Sequence, residues 1–298
     1  MRKRNIILMA IKPIILSVTI TLGISGCSAD SKLYTALETP AAANYEAVSS
    51  KAVLAETNIV GDTNTGVIKS WEEYEAQKIP MIAAIPDKNI FLYGKKDNGV
   101  ILYCNNTGHF YDWNYLTPRF ILPRMELADF DGDGREELAV ILYTGSGTGY
   151  SVEELHMVKV SEKDVLSDDP KDRSYLVPNK EYFKDYVFTD YVQQLNKQVK
   201  LNTHKKGSSL LADVTVGKRV NSFELANTED DIDNNNIGFG NIVGYEFKDK
   251  KIMARFALGA IRKSYASPDF IGEINSEVEF DSGVFTLKNL SFQKNRDK

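Results

Sequence analysis

The chain has 298 residues, with 36 Lys and Arg against 41 Asp and Glu, a formal charge of −5 at neutral pH and a mean hydropathy of −0.29. An acidic chain without a basic cluster is poorly matched to nucleic acid or to adhesion on anionic lipid. Its two cysteines, Cys27 and Cys104, are too few for a disulfide framework.

Arg2, Lys3, Arg4 and Lys12 precede an apolar stretch, Ile14–Ile24, that closes in small residues and Cys27. The stretch is shorter than the roughly 20 apolar residues a membrane span needs. A charged start, a short apolar core and a small-residue exit describe an export signal. Ile24-Ser25-Gly26-Cys27 resembles the lipobox of bacterial lipoproteins. That resemblance implies acylation of Cys27, by palmitate or a similar chain, and an extracytoplasmic protein anchored to the cell membrane through its lipid. Loss of residues 1–26 would remove four basic residues and no acidic ones, taking the charge from −5 to −9.

Residues 27–58 are rich in Ala, Ser and Thr with few large apolar side chains, and read as a flexible tether. A short helix is predicted at 71–78, with Ser70 and Glu73 at capping-box spacing and Pro80 beyond its end. Short apolar runs then predict strands at Asn89–Tyr93, Val100–Cys104, Arg124–Ala128, Leu138–Tyr143 and Leu155–Val160. Asn98-Gly99 marks a hairpin turn between the first two, and Cys104 reads as a small buried hydrophobe. Leu138–Tyr143 is apolar at every position, which predicts a central strand covered on both faces.

Asp168-Asp169-Pro170 lies in a polar stretch that suggests a boundary between halves. Phe183, Val187, Tyr191 and Leu195, four apart, predict a helix near 180–198. Strand patterns return at Leu210–Val216, Ile242–Phe247, Ile252–Leu258, Glu273–Phe280 and Val284–Leu290. The expected fold is therefore mainly β with some α, built from antiparallel sheets in two halves with one or two short helices. The halves are a β-rich domain at 59–165 and an α+β half at 166–298.

Asp129-Phe130-Asp131-Gly132-Asp133-Gly134-Arg135-Glu136-Glu137 places carboxylates at positions 1, 3, 5 and 9 of a loop between two strands. Alternate oxygens around a curled backbone suit calcium, which takes six to eight oxygen ligands, and Gly132 and Gly134 give the backbone freedom to curl. The stretch resembles the calcium loop of FG-GAP and VCBS-type repeats. The resemblance implies Asp129, Asp131, Asp133 and Glu137 as side-chain ligands of one Ca²⁺, and Arg135 as a carbonyl ligand with its side chain turned away. An EF-hand is excluded because position 12 is Val140, inside a strand. One copy cannot build a full propeller. The alternative is an acidic turn without metal.

Asp231-Ile232-Asp233-Asn234-Asn235-Asn236-Ile237-Gly238 lacks the paired glycines and reads as a solvated loop. Thr144-Gly145-Ser146-Gly147-Thr148-Gly149 lacks the Lys of a phosphate loop and reads as a flexible connection at the rim of the sheet. The calcium loop, the apolar strand and these glycines together resemble uncharacterised clostridial and bacillar surface lipoproteins, which implies no particular activity. His109, Tyr111, Trp113 and Tyr115 share one face if extended. Tyr111, Trp113 and Tyr115 are thus candidates for stacking on a cell-wall glycan, the alternative being a strand that covers the core.

No catalytic motif is present: there is no HExxH, no G-x-S-x-G and no assignable carboxylate pair. The sequence favours a calcium-stabilised binding or interaction module at the cell surface, with a glycan or an envelope protein as partner. A hydrolase of envelope polymers and an accessory subunit of a membrane complex or sensor are the competing classes.

Overall fold

The computed structural model describes residues 66–295, except 97–98, 106, 161–164, 167–175, 178–180, 208, 226–231 and 263–266; for 165–166, 176–177, 232–236 and 261–262 it describes the backbone alone. The expected signal, the tether and Cys27 lie outside these residues.

The described residues open with helix α1 (Trp71–Ala76), whose cap follows the predicted chemistry. Ser70 Oγ accepts from Glu73 N, and Glu73 Oε2 accepts from Lys69 N, one residue before the cap. An antiparallel meander follows: β1 (Met81–Ile85), β2 (Ile90–Gly94), β3 (Val100–Cys104) and β4 (Thr107–Tyr111). β1 and β4 escaped the sequence pattern because their alternation is broken by Ala, Gly and Thr.

The main sheet begins with β5 (Arg124–Ala128), β6 (Glu137–Gly147) and β7 (Tyr150–Lys159). Two-residue strands β8 (Val165–Leu166) and β9 (Leu176–Val177) pair with each other. Next come β10 (Asp185–Val187), helix α2 (Tyr191–Gln198) and a three-stranded sheet of β11 (Val199–Lys206), β12 (Ser209–Val216) and β13 (Arg219–Leu225). The chain closes with β14 (Ile232–Lys248), β15 (Lys251–Arg262), β16 (Asp269–Asp281) and β17 (Val284–Lys294). The main sheet runs β17-β16-β15-β14-β7-β6-β5, with β10 also on β7. Among the described strand pairs, only β14–β7 is parallel. The protein is mainly β, with two short helices among the described residues, and no sheet closes into a barrel or a propeller.

The apolar strand is central, as its composition requires. Leu138, Val140 and Leu142 face a core shared with the meander, while Ala139 and Ile141 face a second core shared with α2, β12 and β14–β17. Two covered faces explain the lack of alternation.

Four expectations need correction. The boundary at 165/166 does not divide the molecule into separate sheets, because β10 and β14 both pair with β7. An edge of β7 left open inside the molecule would strand backbone N–H and C=O groups, and the later half supplies their partners. The helix expected near 180–198 starts only at Tyr191. Phe183 takes a left-handed φ of 63° and Asp185–Val187 join the sheet, so a four-residue stripe that looks helical is divided between strand and helix. Ile232–Gly238 is not a loop but the start of β14, held to β15 by the pairs Ile232–Arg262, Ile237–Ala260 and Gly238–Gly259, with an irregular register between Ile232 and Ile237. The Thr144–Gly149 segment is a hairpin tip, with Thr144–Gly147 in β6 and Tyr150 opening β7. Gly145 is required there because the Tyr150 ring lies against its Cα, where a Cβ would collide with it.

Candidate functional site

The hairpin between β5 and β6 is pinned by Ala128 opposite Glu137, and the acidic loop spans the residues between them. Its aspartates fold the backbone back on itself. Asp129 Oδ2 accepts from Gly134 N at 3.0 Å, Asp131 Oδ1 from Asp133 N at 3.1 Å, and Asp133 Oδ1 from Arg135 N at 2.8 Å. Gly132 and Gly134 hold φ of +75° and +82°, which only glycine adopts without strain. Glu137, wholly buried, accepts from Phe130 N at 2.9 Å.

Three of the expected ligands converge. One carboxylate oxygen from each of Asp129, Asp131 and Glu137 lies within 4.8 Å of the other two, an arrangement that can hold a metal ion. Asp133 does not join them. The Arg135 side chain, expected to point away, folds back to grip Asp133 through Nε and Nη2. That grip, ahead of any other cause, holds the Asp133 carboxyl down at about 2.

A residue absent from the expected site sits inside it. Lys159 Nζ, on β7 directly opposite Glu137, lies 2.5 Å from Asp131 Oδ2, 2.7 Å from Glu137 Oε1 and 3.9 Å from Asp133 Oδ2. Burial works to lower its proton affinity, but its bonds to Asp131 and Glu137 outweigh burial and hold it above the usual lysine range. Burial raises Glu137 in turn, with Lys159 and Phe130 N–H pulling against it. The four carboxylates thus face two built-in cations, Lys159 and Arg135, which leaves two negative charges uncompensated. The one sequence signal for Lys159 is its place in the apolar run of β7, since a lysine is almost never buried unless paired.

Two of the three aromatic candidates, Tyr111 and Trp113, are core residues. The chain leaves the strand after Tyr111, and the Tyr111 and Trp113 rings stack at 4.2 Å. Both are buried, with Tyr111 OH donating to Phe183 O at 2.7 Å. Tyr115 OH meets Tyr74 OH at 3.0 Å, which ties α1 to the meander. Tyr111 and Trp113 therefore offer no open face for a glycan, and Tyr115 is half-buried against the same core. The rings fill the space between the meander and the main sheet, where burying large aromatic area gains most.

Behind Trp113 lies a second ionic cluster that has no motif. The Trp113 ring packs on His156 at 4.1 Å and its Nε1 donates to Asp185 Oδ2 at 2.8 Å. His156 Nδ1 lies 3.1 Å from the same oxygen, and Glu154 Oε1 lies 2.8 Å from Nε2. Burial opposes a charged ring, but hydrogen bonding to Asp185 and Glu154 outweighs it and raises His156 to about 9. The imidazole is thus an imidazolium at neutral pH.

The chain matches no protein-family model, no curated protein and no solved structure. Among the described residues, no helix is long and apolar enough to cross a membrane.

Proposed function

We propose that the protein is a lipid-anchored, extracytoplasmic binding module whose acidic hairpin takes one calcium ion and is ordered by it. The observation that carries the ion is the convergence of Asp129, Asp131 and Glu137 on one point, with two negative charges left over after Lys159 and Arg135. A divalent cation balances that remaining charge, and hard carboxylate oxygens without histidine or cysteine suit calcium better than a transition metal. Asp129 is the exposed member of the cluster and gives the ion its way in, whereas Lys159 is buried. The anchor is supported by the lipobox-like Ile24–Cys27.

Thermal melts of the full chain with calcium and with chelator test the ion. Bound ligand raises stability by about 2.7 kcal/mol at a hundredfold excess over Kd, so calcium should raise Tm by several degrees, and Asp131→Asn should abolish the difference. Equal melts of the wild-type protein would leave the hairpin as a lysine-neutralised turn. In membrane fractionation, Cys27→Ser should move the protein to the soluble fraction; retention of that variant would defeat the anchor.

A further inference from the structure

The three-stranded sheet of β11, β12 and β13 packs one face, with Val199, Ala212, Val214 and Phe223, into the main core. At one end of this sheet, strand pairing gathers basic side chains that the sequence keeps apart. Val199 pairs with Val216 and Val216 with Arg219; one step on, Lys200 pairs with Thr215 and Thr215 with Val220. Lys218 stands in the turn between β12 and β13, and Lys197 in the last turn of α2. Spread over residues 197–219, the four form no basic run. Three adjacent strands, however, are only about 10 Å across.

Lys197, Lys200, Lys218 and Arg219 are all exposed. The turn itself asks for Gly217, at φ +58°, and not for the two basic residues that follow it. The nearest carboxylate along these strands, Asp213, lies two residues before Thr215 and is already engaged. It accepts from Ser222 Oγ at 2.5 Å and lies 3.3 Å from His204 Nδ1. Val220, 60% exposed, stands among the four cations.

The rest of the chain has the opposite sign. Without residues 1–26 the charge is −9, and −13 with these four set aside. A molecule so divided turns its basic end toward an anionic surface and its bulk away. The exposed valine and the long aliphatic stems of Lys and Arg suit a lipid interface, where stems and valine enter apolar surroundings while the charged heads stay at the headgroups.

We propose that this end of the three-stranded sheet docks on a bilayer containing anionic phospholipid, with Lys197, Lys200, Lys218 and Arg219 at the headgroups and Val220 entering the interface. The proposal rests on the reading of the protein as membrane-anchored. A flexible tether of the length expected at 27–58 reaches roughly 30 Å. The anchored fold stays that close to the bilayer, so a contact too weak to hold a free protein is enough.

The full chain with Cys27→Ser, which carries no lipid there, is sedimented with vesicles of phosphatidylcholine alone and of phosphatidylcholine mixed with phosphatidylglycerol. It should bind the mixed vesicles, ignore the neutral ones and come off in high salt. A basic side chain at an anionic surface is worth about fivefold in affinity, so Lys218→Gln with Arg219→Gln should weaken binding about tenfold or more. Lys205→Gln with Lys206→Gln removes the same charge at the far end of β11, where Lys206 pairs with Ser209, and should leave binding nearly unchanged. Equal binding to both kinds of vesicle, unchanged binding in the Lys218 and Arg219 variant, or equal loss in the two double variants overturns the proposal. Tighter binding to soluble polyglutamate than to mixed vesicles overturns it in favour of an acidic polymer. In cell fractionation a high-salt wash strips this contact and leaves a lipid anchor in place. Wild-type protein that leaves the membrane in that wash upholds the docking and removes only the anchor.

Discussion

At the scale of single residues, two buried cations on β7, His156 and Lys159, govern the electrostatics of the protein. Each is taken out of water, and each is kept charged by carboxylates brought from other elements: Asp185 of β10 for His156, Asp131 and Glu137 of the hairpin for Lys159. The pH dependence of His156 follows from its direction of shift. Its folded value of about 9 lies above its ordinary 6.5, so its stabilisation is complete below pH 6.5 and drains away as pH rises through 9. A rise of that size corresponds to on the order of 3 kcal/mol. His109, which stacks on Phe183 and is within the field of Asp185, is lowered by burial and acts in the opposite sense. The stability it adds is present above pH 6.5 and lost below. Melts between pH 6.5 and 9.5 should therefore show Tm falling in the wild type. His156→Gln should start lower and stay flat over that range. A wild-type curve flat to pH 9.5 would mean that the ring is neutral in the fold.

At the scale of elements, what the sequence revealed and what it hid divide by the range of the interaction that decides them. The cap of α1, the strands Val100–Cys104 and Arg124–Ala128 and the curl of the acidic loop stand where local pattern puts them, because the deciding contacts lie within a few residues. The Phe183–Leu195 stripe misled because the edge of β7, some 30 residues away in sequence, claims Asp185–Val187 as a strand. The acidic site was half legible. Asp129, Asp131 and Glu137 declare themselves by spacing, whereas Lys159 enters only through the β6–β7 register that sets it opposite Glu137. The aromatic run misled in the other direction: alternation shows that Tyr111 and Trp113 share a side but not whether that side meets water or core. Helix α2 shows a further use of long-range contact. Gln194 accepts from Leu287 N and donates to Phe285 O on the outer edge of β17. Its amide thereby occupies backbone groups that an exposed edge would offer to another chain.

At the scale of the whole described fold, the continuity of the main sheet across 165/166 has a consequence for cooperativity. β5, β6 and β7 come from the N-terminal side of that position, yet among the described elements one face of β6 and β7 is covered by those from the C-terminal side, with Phe130 of the hairpin at its margin. A fragment of residues 59–165 would keep the meander and the core behind Leu138, Val140 and Leu142 but would bare Ala139, Ile141, Leu155 and Met157. Fully burying a large apolar side chain gains about 1.5–3 kcal/mol, so the fragment forfeits roughly 5 kcal/mol or more, comparable with the entire stability of a small domain. It also leaves the edge of β7 without β10 and β14. The intact chain should accordingly unfold in a single transition, with tryptophan emission and far-ultraviolet circular dichroism changing together, while the 59–165 fragment should aggregate or lack a cooperative melt. Two separated transitions in the intact chain, or a fragment that melts cooperatively on its own, would show instead that β7 can stand as an edge and that the two cores are independent.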